Sequence, residues 1–363
     1  MNRHVLLVLL VILSLVPPTQ ARASEYKYTL TYVLENRGQG PLELAEEDLT
    51  VPLFMNSSTQ TVKVEESSVG YTSGNVDPDG NRGAVMTLER TMAPGQSTTF
   101  TMTFTIESDS RPVPGFNHGE ADGFSSIPPR LVDQYTGATE TFRSDDPDIA
   151  TKALEAAGDA ETVLDALVLL IESVTGETTY CNFEVPRYPN TTLSEGLGDC
   201  DDQSILLISL LRSLGVPAYL QVGIYIHSSI DDSQTSWQGH LTNARRGVGW
   251  HGWAMVYVPP WGWVPVDLTL TSEKSGLELL KKAPEYAGNV VAAFNVSEQS
   301  YIGDTLTTRA RIIGSSLYAS VTDEAEEVHD GGLGSEVYLI AGLGLAVTAA
   351  IVLMFVSGRK GSR

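Results

Sequence analysis

Gly198-Asp199-Cys200-Asp201-Asp202-Gln203-Ser204-Ile205-Leu206-Leu207-Ile208-Ser209-Leu210-Leu211-Arg212-Ser213-Leu214-Gly215-Val216-Pro217 is the stretch on which the reading of this chain turns. From Asp201 to Leu214, apolar residues fall on nearly every side of a helix. Such a helix belongs in the interior of its domain. Gly215 stands where a C-terminal cap is expected, and Pro217 just beyond. Cys200 comes directly before the helix, where free backbone N–H groups and the positive end of the dipole gather. Both favour thiolate over thiol, and the thiolate is the nucleophile. The same N–H groups can hold an oxyanion once sulfur has attacked a carbonyl. Asp199, Asp201 and Asp202 act the other way, since nearby negative charge raises a thiol pKa. Offsetting them calls for an imidazolium.

A base is available downstream. His251 opens the run His251-Gly252-Trp253-Ala254-Met255-Val256-Tyr257-Val258, and Asp267 ends Gly262-Trp263-Val264-Pro265-Val266-Asp267. The intervening Pro259-Pro260-Trp261-Gly262 reads as a turn, which makes the two runs an antiparallel pair. A histidine at the start of one strand and a carboxylate at the end of the other then sit side by side. The carboxylate can fix the imidazole tautomer and stabilise its charged form. The candidate catalytic residues are therefore Cys200, His251 and Asp267. His227 and His240 compete for the role of base. His227 ends a strand and enters the polar run Ser228–Ser236, and His240 sits in a Gly/Gln-rich loop. Neither precedes a paired strand that ends in a carboxylate.

These three segments, in this order and spacing, resemble the transglutaminase-like superfamily. Gly198–Ser204, with the Leu-rich helix ending Leu211-Arg212-Ser213-Leu214-Gly215-Val216-Pro217-Ala218, is similar to its nucleophile segment. His251-Gly252-Trp253 and Gly262–Asp267 are similar to its histidine and aspartate segments, and Tyr180 to a usual family tyrosine. The resemblance covers roughly residues 145–270. It implies a papain-like α+β fold and thiol chemistry on amide bonds, with no cofactor. Family members include cross-linking enzymes, proteases, amidases and inactive binders. The family often has proline after the aspartate, whereas Leu268 stands here. That departure touches the turn more than the chemistry.

Other features have two readings each. Cys181 and Cys200 are the only cysteines, and a disulfide between them would remove the nucleophile. The alternative is a spectator thiol, or a redox partner that caps Cys200. All five tryptophans lie between Trp237 and Trp263, either as the aromatic wall of a peptide cleft or as core around the strand pair. Arg245-Arg246 is a salt-bridged loop or a basic patch near the cleft. The acids around Cys200 lack the alternating spacing and glycine turn of a calcium loop, so they read as solvated helix-start charge and no metal site is assigned.

Working outward, Ala153 to Val174 carries helical spacing from about Asp146, and strand-like runs cover Ala218–Ile226, Trp253–Val258 and Trp263–Val266. Residues 146–322 are thus read as the α+β, transglutaminase-like domain, with Thr305–Thr322 as one or two further strands. Before it, Tyr26, Tyr28, Leu30, Tyr32 and Leu34 alternate with more polar positions, as do Phe100, Met102, Phe104 and Ile106. Period two of this kind means half-buried strands, so residues 24–108 read as an all-β, immunoglobulin-like sandwich. Residues 109–145, rich in Gly, Pro, Ser and Asp, read as a linker.

The two ends suggest a compartment. A basic start, the apolar run Val5–Val16 and Ala21-Arg22-Ala23 read as a signal peptide over residues 1–23. Residues 323–336 read as an acidic stalk. Val337–Val356 carries no charge and is long enough for a transmembrane helix, and Arg359, Lys360 and Arg363 in the tail 357–363 favour the cytoplasmic side. This predicts a single-pass cell-membrane protein whose body is extracellular. That body holds 18 basic against 45 acidic residues once two in the leader and three in the tail are set aside. A charge of −27 argues against nucleic acid as a partner. Asn56, Asn190 and Asn295 begin glycosylation sequons, as an exported surface allows. The expected function is a cell-surface thiol peptidase or amidase that acts on a peptide or protein substrate. A glutamine cross-linking transferase and a non-catalytic adhesion or scaffold protein are the alternatives. Oligomeric state cannot be read from the sequence.

Overall fold

Tyr26, Tyr28, Leu30 and Leu34 do point inward, from the long strand β1 (Ser24–Asn36). The computed structural model of the chain describes residues 24–273 and 275–328. β2 (Gln60–Ser67) and β3 (Ser97–Ser108) extend the sheet antiparallel in the order β1-β3-β2. Phe100, Met102, Phe104 and Ile106 of β3 share the buried face. Short strands at Thr50–Pro52, Tyr71–Asn75 and Arg82–Met86 form a separate three-stranded sheet, and Val51, Ala84 and Met86 join the same core.

The later half of the chain supplies the rest of this sheet. β4 (Ala218–Ser236) and β5 (Leu241–Val258) make a long antiparallel hairpin with an irregularity between Ile226 and Asp231. β6 (Gly262–Val266), β7 (Val290–Val296) and β8 (Leu317–Glu327) complete eight strands, in the order β7-β4-β5-β8-β1-β3-β2 with β6 beside β5. β5 therefore uses one edge twice. Its residues Leu241–Arg246 pair parallel with β8, and Ala254–Val258 pair antiparallel with β6. Residues 247–253 fall between those partners, and His251 is among them.

Helices cover one face of the β4–β6 region. They are α1 (Pro129–Tyr135), α2 (Pro147–Ala157), α3 (Val163–Glu177), α4 (Pro189–Glu195), α5 (Cys200–Ser213), α6 (Gly276–Lys281) and α7 (Tyr301–Ile313). α5 is the interior helix expected from its sequence: Ile205, Leu206, Leu207, Ile208, Leu210 and Leu211 are fully or almost fully buried. They pack on Ala254, Val256, Val264 and Val266 and on α2 and α3. Gly215 has φ +78°, the left-handed backbone that a C-terminal cap asks for.

Several expectations change. The strands of 24–108 do not close into an immunoglobulin-like sandwich of their own. β1 pairs with β8 along its length, and their core takes Ile224, Ile226, Val248, Val291 and Ile312 from the later segment. Residues 109–145 are more than a linker, because Phe116, Ile127 and Phe142 are anchored in the α5 core. The buried Arg212 ties the same segment down by donating to the carbonyls of Gly137 and Ala218. Thr305–Ile313 belongs to a helix rather than a strand. Its β-branched residues suggest a strand, but Thr305 and Thr307 fold their hydroxyls back onto the carbonyls four residues earlier. Asp323–Glu327 of the expected stalk forms the end of β8, where buried Asp323 accepts hydrogen bonds from Tyr28 and from Trp250 (3.2 Å). No helix among the described residues is long and apolar enough to cross a membrane. The leader 1–23 and the apolar run Val337–Val356 lie outside the described residues.

Candidate active site

The β5–β6 hairpin brings His251 and Asp267 together as its sequence suggests. Ala254 pairs with Val266, so Asp267 emerges one residue past the strand end toward His251. His251 Nε2 and Asp267 Oδ2 are 2.5 Å apart, and both side chains are buried. The other carboxylate oxygen, Oδ1, accepts the backbone N–H of Thr269 and Leu270, each at 2.9 Å. Burial alone would raise this carboxyl's pKa. The adjacent His251, aided by the two N–H donors, more than reverses that and holds it below the usual carboxylate range. With Nε2 engaged, Nδ1 is the ring nitrogen left for a reacting group.

α5 meets this hairpin at Gly252. A Cβ built there would stand 3.1 Å from the Asp201 Cβ, so a glycine lets the helix start and the strand approach closely. The Gly252 backbone N–H lies near enough to the Cys200 sulfur to favour its thiolate, and Ser204 Oγ joins the two segments, donating to the Cys200 carbonyl at 2.7 Å and reaching the Gly252 carbonyl at 3.5 Å. Cys200 is thus the first residue of α5, half-buried, against the residue that follows His251. Burial first, then the charges of Asp201 and Asp199, push its thiol well above the ordinary value; the Gly252 N–H lowers it only in part.

Two of the three aspartates are buried and Asp201 is half-buried, which corrects the reading of solvated helix-start charge. Asp199 and Asp202 are buried and form a reciprocal capping box, each accepting the other's backbone N–H. Asp202 also accepts the N–H of Arg187 at 2.6 Å. Burial and the charge of Asp199 push the Asp202 carboxyl up to about 7. Asp201 is raised as well, by burial and by Asp199, and its Oδ2 takes the Tyr301 hydroxyl at 3.1 Å. Tyr180 stands nearby, exposed, with its hydroxyl pushed up to about 12 by partial burial and by Cys200, Asp199 and Asp201.

Cys181 and Cys200 are both free thiols. His227 bonds Ser229 at 2.7 Å on the exposed part of β4, and His240 bonds the Leu317 carbonyl at 2.8 Å, so neither joins the site. The tryptophans divide. Trp253 is buried against His251, Trp261 packs on Phe116, and Trp263 packs among Tyr135, Tyr219 and Tyr257. Trp237 and Trp250 instead line a cavity of about 550 Å³ together with Tyr32, Arg245 and Tyr301. Arg245 and Arg246 are paired, with Asp232 and Glu324. Of the sequon asparagines, Asn56 is exposed, while Asn190 is partly buried and Asn295 sits in β7 with its oxygen bonded to Gln221. A further acid, Glu285, stands beside His251 and Asp267. No sequence signal marked it, since it lies in an irregular stretch with no motif.

Residues 150–268 match the family model of the transglutaminase-like superfamily. No curated protein matches the sequence. Among solved structures, a candidate cysteine protease from Cytophaga hutchinsonii is similar at TM-score 0.52 and 14% identity, covering 85% of this chain and 92% of its own. A red sea bream transglutaminase is similar at TM-score 0.30 and 12% identity, over 71% of this chain and 49% of its own. At such identity the first likeness speaks for the fold. The domain that carries Cys200, His251 and Asp267 is transglutaminase-like.

Proposed function

From a transglutaminase-like domain that sets a buried His–Asp pair beside the first residue of its central helix, we propose that this chain is a thiol-dependent peptidase or amidase. The observation that carries the reading is the 2.5 Å contact of His251 Nε2 with Asp267 Oδ2, one residue from Gly252, whose N–H lies near the Cys200 sulfur. Cys200 Sγ attacks the carbonyl carbon of an amide while His251 Nδ1 takes its proton. The oxyanion rests on N–H groups of the first turn of α5, which have no partner within the helix. His251 then passes the proton to the leaving amine, and an acyl-enzyme remains on Cys200. Water attacks it with His251 again as base, and the thiol is restored. Asp267 holds the imidazole and stabilises its charged form. The raised thiol pKa favours this general-base route over a standing thiolate. The cavity lined by Trp237, Trp250 and Tyr301 borders the site through the Tyr301–Asp201 bond, and gives a substrate side chain a place to lie.

An amine in place of water would make the same acyl-enzyme a cross-linking intermediate. The raised thiol also favours a second reading, a binding protein with an unreactive cysteine. Placement at the outer cell surface, with Val337–Val356 as anchor, is part of the proposal and rests on the sequence.

The test is a peptide-library digest with and without a free amine, run on the wild-type chain, Cys200→Ala and His251→Ala. Cleavage products that vanish with Cys200→Ala and fall by about a hundredfold or more with His251→Ala are expected. Amine adducts would assign transfer instead. Products that persist in Cys200→Ala sink the thiol reading. In addition, iodoacetamide labelling of Cys200, followed by mass spectrometry, should slow in His251→Ala.

A further inference from the structure

Glu285 is a residue of the site to which the thiol chemistry gives no work. It lies in a single turn, Pro284–Tyr286, between α6 and β7. It is 7% exposed, and no N–H or O–H donates to either carboxyl oxygen, while the carboxyl itself, when protonated, can donate to Asp267. Yet a carboxyl oxygen of Glu285 lies within 4.8 Å of both a His251 ring nitrogen and an Asp267 oxygen. The other groups that face it are Arg111, whose guanidinium stands 5.1 Å over the Tyr286 ring, and Tyr286 itself. Burial first, then the charge of Asp267, push the Glu285 carboxyl well above its ordinary range, and Arg111 only partly opposes them. A buried carboxylate without donors is costly, so the neutral acid is the form that this site favours.

We propose that Glu285 is a positioning residue whose proton keeps His251 able to act as a base. As a neutral acid, Glu285 leaves Asp267 as the one negative charge beside the imidazole. As a carboxylate, it adds a second, which holds the proton on His251 and stops it from taking that of Cys200. Burial and the neighbouring aspartates disfavour the Cys200 thiolate, so the proposed reaction needs an unprotonated imidazole. The inference rests on the thiol reading above.

The test follows the His251 ring by NMR against pH in the full chain, with the signal assigned from its loss in His251→Ala. Wild type is expected to show two inflections, its own and that of Glu285. Glu285→Gln should lose the second and leave the first where wild type has it; a first inflection moved to lower pH would mean that Glu285 is charged while His251 titrates, and would overturn the proposal. Glu285→Asp should keep two inflections, with the second displaced. Superimposed curves for wild type and Glu285→Gln would overturn the proposal. Should Glu285→Gln not fold, an undisplaced second inflection in Glu285→Asp would overturn it as well. His251→Ala slowing Cys200 alkylation while Glu285 variants leave the ring titration untouched would defeat this inference alone. No effect of His251→Ala on alkylation would defeat the thiol reading instead.

Discussion

At the edge of β5, Asp267 is fully buried and yet held below the usual carboxylate range; across the site, Asp201 and Asp202 are held above it. Burial acts in the same direction on all three. The difference lies in what each carboxyl faces. Asp267 meets a histidine and two backbone donors. Asp201 meets one tyrosine hydroxyl and two other aspartates, and Asp202 has two backbone donors, from Asp199 and Arg187, but faces the charge of Asp199 instead of a histidine. The base side of the site is therefore organised before any substrate arrives. On the Cys200 side, burial and mutual charge raise both the carboxyls and the thiol, so on the proposed mechanism the sulfur depends on a partner to take its proton.

The largest break in this comparison should come from Asp267→Asn. It keeps the shape but removes the charge that orients His251, and peptide turnover should fall on the order of a thousandfold. Steady-state rates on a substrate found in the library would check it. Turnover within a few-fold of wild type would mean that the pair does not serve the chemistry.

Asp201→Asn acts on the other side. It deletes a negative charge that raises the Cys200 pKa, so the thiolate should form at lower pH. The midpoint of Cys200 alkylation against pH is expected to drop by about one pH unit. An unmoved midpoint would mean that Asp201 does not shape the thiol.

The third effect is read in stability rather than in chemistry. Asp202 titrates near 7 in the folded chain, against about 3.9 when unfolded. Between these values the folded state holds a proton that the unfolded state has lost. Its contribution is complete below about pH 4 and is lost as pH rises through about 7. Asparagine cannot titrate, so Asp202→Asn should lose less stability than wild type between pH 4 and 7.5, by up to about 4 kcal/mol. Urea melts at the two pH values measure that difference, and parallel losses would refute the assignment.

Much of the site was legible because it is local. The Leu-rich run after Cys200, the Pro-Pro-Trp-Gly turn and the alternation around it each specify an element within about twenty residues. His251 and Asp267 inherit their proximity from one hairpin. What was not legible depends on distant partners. Nothing in Leu317–Glu327 says that it will pair with both Tyr26–Asn36 and Leu241–Arg246. Glu285 is an ordinary acid until β7 and the strand end at Asp267 close around it. The capping box at Asp199 and Asp202 was open to a closer reading, since an acid three residues after an N-cap acid is a known helix-start pattern.

The position of β8 has a consequence for the order of events at the ribosome. It lies between β1 and β5, and Tyr26 pairs with Glu327, about 300 residues later in synthesis. Until that last strand emerges, β1 has one edge bare and the β4–β5 hairpin has half an edge bare. Each is a template on which a neighbouring nascent chain could add a strand. The aromatic and threonine-rich β1 is thus the part of this protein with the longest wait for its partner, and the part most in need of shelter while the chain is being made.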